Sequence, residues 1–114
     1  MERVSAFAAD FITYTEIAAR AVERNEPVGR LALVEKVEWA RSHIASLVAG
    51  DRQMGLMSRA VDALEDLAYS SQSVAPEGMR GIAMIVLPLV GAQDLAALQD
   101  LYPTSIANLV STAA

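Results

Sequence analysis

The 114 residues contain no cysteine, which excludes a disulfide scaffold, a thiolate nucleophile and any cysteine-ligated zinc or iron–sulfur site. A single histidine rules out a multi-histidine metal site within one chain. Glycine and proline together fill only ten positions, and hydrophobic residues make up 54% of the chain, so neither a disordered tail nor a collagen-like repeat fits. Bases are outnumbered by acids, 9 to 14, giving a net charge of −5. A phosphate-backbone binder needs a basic footprint, so no nucleic-acid partner is expected. The uncharged run from Gly81 to Gln93 contains Pro88 and is too short to span a bilayer. Glu2, Arg3 and Asp10 are wrong for a secretory apolar segment. The expectation is a cytoplasmic protein with no membrane contact and no cofactor.

What is abundant is alanine, and no stretch sustains period-two alternation, so the composition and pattern predict an all-α chain. Its length suits one domain over residues 1–114, large enough to bury about 65% of the surface its unfolded form exposes. Helix one is predicted from Val4 to Asn25, with Val4, Phe7, Ala8, Phe11, Thr15, Ala18, Ala19 and Val22 on one stripe and Asp10, Glu16, Arg20, Glu23 and Arg24 off it. Asn25-Glu26-Pro27 breaks it. Helix two is predicted from Val28 to Ala49, its stripe Leu33, Val37, Ala40, Ile44, Leu47 and Val48, with Gly50 closing it in left-handed geometry. Asp51 then caps helix three, Arg52 to Ser71. The short connection predicts an antiparallel hairpin of these two helices.

Ser70-Ser71-Gln72-Ser73 is the most polar connection and the best candidate for a mobile loop. Pro76 suits the first turn of helix four, and Glu77 complements its dipole. That helix is apolar almost all round, and Pro88, lacking an N–H, predicts a kink or an early stop. Gly78 and Gly81 carry no phosphate-binding fingerprint and suggest a close helix approach instead. Two short helices follow, one marked by Leu95, Leu98, Leu101 and Tyr102 and one by Ile106, Leu109 and Val110. A HEAT-like array would need matching residues at a fixed period, and none is found. The predicted architecture is a compact bundle of five or six helices, the first three long and antiparallel, the C-terminal ones shorter.

Charge is unevenly spread. Residues 73–114 carry only Glu77, Arg80, Asp94 and Asp100. Helix four is wrapped by the rest of the chain, or the C-terminal third leaves an apolar surface for a second copy or another protein; the two are compatible, with helix four central and the last two helices forming the interface. On the second reading Ile82, Leu89, Leu98, Tyr102, Ile106 and Leu109 are interface candidates, and a two-fold homodimer is the expected form.

Helix two adds Trp39, about 140° from its apolar stripe, with Lys36 and His43 on the same face. A tryptophan with a cation one turn away suits a binding hot spot; alternatively another helix crosses there and covers the indole. His43 has no Ser–His–Asp context, so no catalytic residue is assigned. Asp62, Glu65 and Asp66 lack the Glu-x-x-His partner of a di-metal bundle, and Arg59 offers Asp62 a surface pairing, so no metal ligand is assigned. Met54, Met57 and Met84 serve either as core fillers or as the lining of a pocket for a small apolar ligand between helices three and four. The leading functional expectation is a non-enzymatic interaction or oligomerisation module, and the alternative is a binder of such a ligand.

Overall fold

The computed structural model describes residues 2–70 and 73–113. Six α-helices account for most of them, with no strand among the described residues: α1 (Glu2–Glu23), α2 (Arg30–Ser46), α3 (Asp51–Ala68), α4 (Pro76–Val86), α5 (Ala92–Leu101) and α6 (Pro103–Ala113). The all-α bundle is as the composition and periodicity predict. Ser71 and Gln72, within the anticipated polar loop and at the anticipated end of helix three, lie outside the described residues.

The α1 stripe is buried as the spacing predicts, with Phe11, Ala8 and Ala19 fully enclosed. Asn25 ends the helix in left-handed geometry (φ 61°), and the Glu26 N–H reaches back to Ala21 C=O while the Asn25 N–H bonds Val22 C=O. This is a Schellman closure, and asparagine is among the few non-glycine residues that tolerate that conformation.

Helix two is shorter than its pattern suggests. It stops at Ser46, whose hydroxyl bonds His43 C=O, and Leu47 is already extended. Val48 therefore leaves the helical stripe and lies 94% exposed, against the expectation of a core position. Gly50 is not left-handed either: at φ −73° it is the N-cap of α3, its N–H donating to Gln53 Oε1 at 3.0 Å. Asp51 is consequently the first helical residue and not the cap. Its carboxylate still favours the positive end of the helix.

The α2–α3 hairpin is antiparallel and clipped at two levels. Arg30 Nε donates to Ala68 C=O at 2.9 Å, at the end of α3, with its guanidinium over Tyr69. Farther along, Arg41 bridges Asp62 and Glu65 at 3.0 and 3.2 Å. The acidic face of α3 is thus answered by Arg41 from α2 and not, as its own sequence suggested, by Arg59.

Within the charge-poor segment, α4 is wrapped by the rest of the chain. α4 packs against α1, α3 and α6, burying Met79, Ile82, Ala83 and Val86. Pro88 stops it at Val86, and Leu87–Leu89 tighten into a 3₁₀ turn. Ile82, Leu98, Ile106 and Leu109, expected at an interface, are 0–6% exposed and form part of the chain's own core. An apolar helix looks the same in sequence whether its own chain or another covers it.

α5 is held by a side chain from the far end of the chain. The Gly91 N–H donates to Ser5 Oγ at 2.7 Å, and that hydroxyl donates to Asp94 Oδ2. Gly91 is the N-cap of α5, and Ser5 of α1 links its N–H to the carboxylate of Asp94 at the third helical position. A Cβ at Gly91 would come within 3.3 Å of that hydroxyl, which would have to give by a few tenths of an ångström. Ser5→Ala is expected to cost about 1 kcal/mol, which lowers the melting temperature by about 4 °C and speeds amide exchange at Gly91. An unchanged melting curve would show that packing alone holds α5.

Candidate functional site

Three features stand out from the packing. On the outer side of α2, Trp39 is half-buried because α1 crosses it: its ring stacks on Phe7 at 5.7 Å, 7° from parallel. The indole is therefore covered in part by another helix. Its neighbours at three and four residues complete the cluster. Lys36 Nζ lies 3.5 Å from the Trp39 ring centre and 5.0 Å from that of Tyr14, and the His43 ring lies 4.2 Å away. Burial holds the Lys36 amine below the usual lysine value, with Asp10 pulling it back up. Burial likewise pushes the Tyr14 phenol up.

His43 is exposed, and its Nδ1 faces Trp39 C=O at 2.9 Å. A carbonyl only accepts, so Nδ1 carries a proton. No carboxylate or hydroxyl of the described residues stands at hydrogen-bonding distance from the ring. The Trp39 carbonyl fixes the tautomer and orientation of the ring, but among the described residues no nucleophile is placed for it to activate. Its elements suit cation–aromatic packing, about 0.5–2 kcal/mol for a partly covered pair.

The second feature is an ionic knot that the polar-face assignment of Glu16 concealed. Glu16 is only 2% exposed. Its Oε1 accepts from Arg80 Nε at 3.1 Å; its Oε2 accepts from Arg80 Nη2 at 3.0 Å, Arg20 Nε at 2.8 Å and Ser105 Oγ at 2.8 Å. The other edge of Arg80 forks onto Glu23 at 2.8 and 3.0 Å. Arg20 in turn lies over the Tyr102 ring at 4.7 Å. Burial works against the Glu16 charge, but donors from Arg80, Arg20 and Ser105 overcome it and hold the carboxyl below its ordinary range. Glu23 is held low chiefly by Arg80, and Arg80 itself is pushed well up by its bonds to Glu23 and Glu16. With both Glu16 oxygens occupied, the knot ties α1, α4 and α6 together and leaves that carboxylate no free position for a substrate. Two signals marked it in the sequence: Ile12, Glu16 and Ala19 at spacings of four and three, and Arg80 as the one base after residue 72.

The third feature is the surface of the C-terminal helices. Fifteen residues of α5 and α6 are exposed, and Asp100 alone among them is charged. On α2, by contrast, Arg30, Glu35, Glu38 and Arg41 are charged among ten. Of the interface candidates, Leu89 and Tyr102 are half-buried, while Leu101, not singled out, is 64% exposed.

The pocket methionines are not brought together at one cleft. Met57 is fully buried and Met54 half-buried on α3, whereas Met84 lines an open cleft of about 590 Å³ between α4 and α6. A larger opening of about 840 Å³ runs beside the Ser5–Asp94 junction, with Arg52 and Gln53 on one side and Pro88–Gln93 on the other. Neither cleft is lined by Met54 or Met57.

Among the described residues no helix is long and apolar enough to cross a membrane, and no group of three acidic or histidine side chains is placed to hold a metal ion. No family model, curated protein or solved structure matches this chain.

Proposed function

We propose that this chain is a helical interaction module that self-associates through the exposed surface of α5 and α6, and that it binds a partner without catalysing a reaction. The observation that carries the reading is the single charge among fifteen exposed residues there. Each copy has a net charge of −5, so two copies repel wherever their acidic faces meet. The C-terminal helices offer an approach nearly free of that repulsion, and closed two-fold pairs are the commonest homo-oligomers. This surface differs from the residues the charge count first pointed to, because most of those are used inside the chain. His43 has no partner for acid–base work, and the methionines do not share a cleft; neither favours a competing function.

Light scattering behind a sizing column, over a wide range of protein concentration, tests the reading. A mass rising towards twice 12.2 kDa is expected. Ala97→Glu combined with Ala107→Glu places a carboxylate on the exposed surface of each helix, and it is expected to weaken the pair at least tenfold without changing the circular dichroism spectrum. A single 12.2 kDa species at every concentration would defeat self-association.

A further inference from the structure

We propose that the two copies associate by laying α6 of each into the cleft between α4 and α6 of the other, directly over Gly81. The proposal rests on the self-association reading above and names the surfaces that would meet.

Gly81 stands inside α4, where glycine is less favourable than alanine. A Cβ at Gly91 would press on Ser5, one at Gly78 would make ordinary contact with the Leu67 methyls at 3.8–3.9 Å, and one at Gly55, which lies away from the cleft, would meet nothing. At Gly81 a Cβ would meet nothing within 4 Å. The position is exposed and opens on the 590 Å³ cleft, with Met84 beside it and Ser105, Asn108, Leu109 and Thr112 across it. Bare backbone at the floor of a cleft between two helices gives a third helix room for close approach.

Charge narrows the choice among the helices of a second copy. Glu23 and Glu77 both line the cleft, and the Arg80 guanidinium beside them is already forked between Glu16 and Glu23. A helix carrying acids meets repulsion here. α6 is the only one of the six helices with no charged residue, and Thr104, Asn108 and Ser111 follow one another along its edge at spacings of four and three. These side chains are small, uncharged and able to hydrogen-bond. Because α6 is also a wall of the cleft, wall and occupant exchange roles under a two-fold axis, as an isologous interface requires.

The test uses the full chain, with sedimentation equilibrium for association and thermal denaturation at low concentration for the single copy. Gly81→Ala is expected to raise the melting temperature of the dilute protein while weakening association at least tenfold. Gly55→Ala supplies the control: a Cβ at Gly55 in α3 also meets nothing within 4 Å, and this residue does not line the cleft. It is expected to stabilise the single copy and leave association unchanged. Asn108→Glu is expected to dissociate the pair. The cleft assignment is overturned, with self-association intact, if Gly81→Ala and Asn108→Glu pair normally while Ala97→Glu on α5 does not. A wild-type chain that never pairs overturns both.

Discussion

Arg80→Leu is expected to be among the most damaging single changes to a partly exposed side chain. Glu16 would keep Arg20 and Ser105 but lose its two bonds to Arg80, leaving a 2%-exposed carboxylate under-compensated. Breaking a buried pair from one side commonly costs about 3–5 kcal/mol. Because the Arg80 side chain is 27% exposed and Arg20 remains, the lower end of that range, about 3 kcal/mol, is the expected loss in urea denaturation. Adding Glu16→Gln to Arg80→Leu removes the stranded charge, so the double variant is expected to be more stable than Arg80→Leu alone. If Arg80→Leu loses less than about 1 kcal/mol, a value usual for exposed pairs, the knot is ornamental to stability.

The same knot sets an acid limit. Glu16 and Glu23 are held below their ordinary value of 4.5 in the folded chain. At acid pH the unfolded chain therefore binds more protons than the folded one, and stability falls as pH falls. The contribution is complete above the unfolded value and is lost through the lower, folded values, from about pH 5 downward. Urea midpoints measured at successive pH values are expected to fall more steeply for wild type than for Glu16→Gln. Parallel curves would mean that other carboxylates govern acid unfolding.

A second comparison sets two apolar residues of the charge-poor segment against each other. Val86→Asp is expected to prevent folding at 25 °C, and Leu101→Asp to leave the fold intact. Val86 is 0% exposed where α4 meets its neighbours, so its replacement buries a carboxylate without a partner. That penalty is several kcal/mol, a large part of the roughly 5–15 kcal/mol that holds a domain together. Leu101 is 64% exposed at the end of α5, where a new acid costs under about 1 kcal/mol, mostly through the helix dipole. Far-ultraviolet circular dichroism distinguishes the outcomes. Two folded variants would place α4 at the surface and undo the packing described for it.

What sequence could disclose here follows chain-local chemistry. The α1 stripe, the break at Asn25-Glu26-Pro27, the start at Pro76 and the stop before Pro88 depend on residues within a turn of one another, and all are legible. The α2–α3 connection was misjudged because one reciprocal bond, from the Gly50 N–H to Gln53, moves the cap by a residue and releases Val48 into solvent. The larger misplacements concern partners far apart in the chain. Glu16 looks like a polar-face residue until Arg80 and Ser105 arrive from 64 and 89 positions away. Ile82, Leu98, Ile106 and Leu109 look outward-facing only because nothing local shows which helix covers them. Trp39 was anticipated as either covered or a contact point, and it is partly both, stacked on Phe7 and still half-open.

The bonds from Ser5 to Asp94 and from Glu16 to Ser105 also govern the order in which the molecule can assemble. The α2–α3 hairpin closes over a four-residue connection and needs nothing else to begin. α1, made before its partners, packs chiefly on α4, α5 and the turn between them. During synthesis at about 5–20 residues per second, Phe7, Phe11 and Ile12 await those partners for several seconds. Closing loops of such length carries an entropic delay that later contacts must offset. α1 thus leaves the ribosome well before the helices that cover it, and until they follow its apolar face is open to aggregation or to a chaperone.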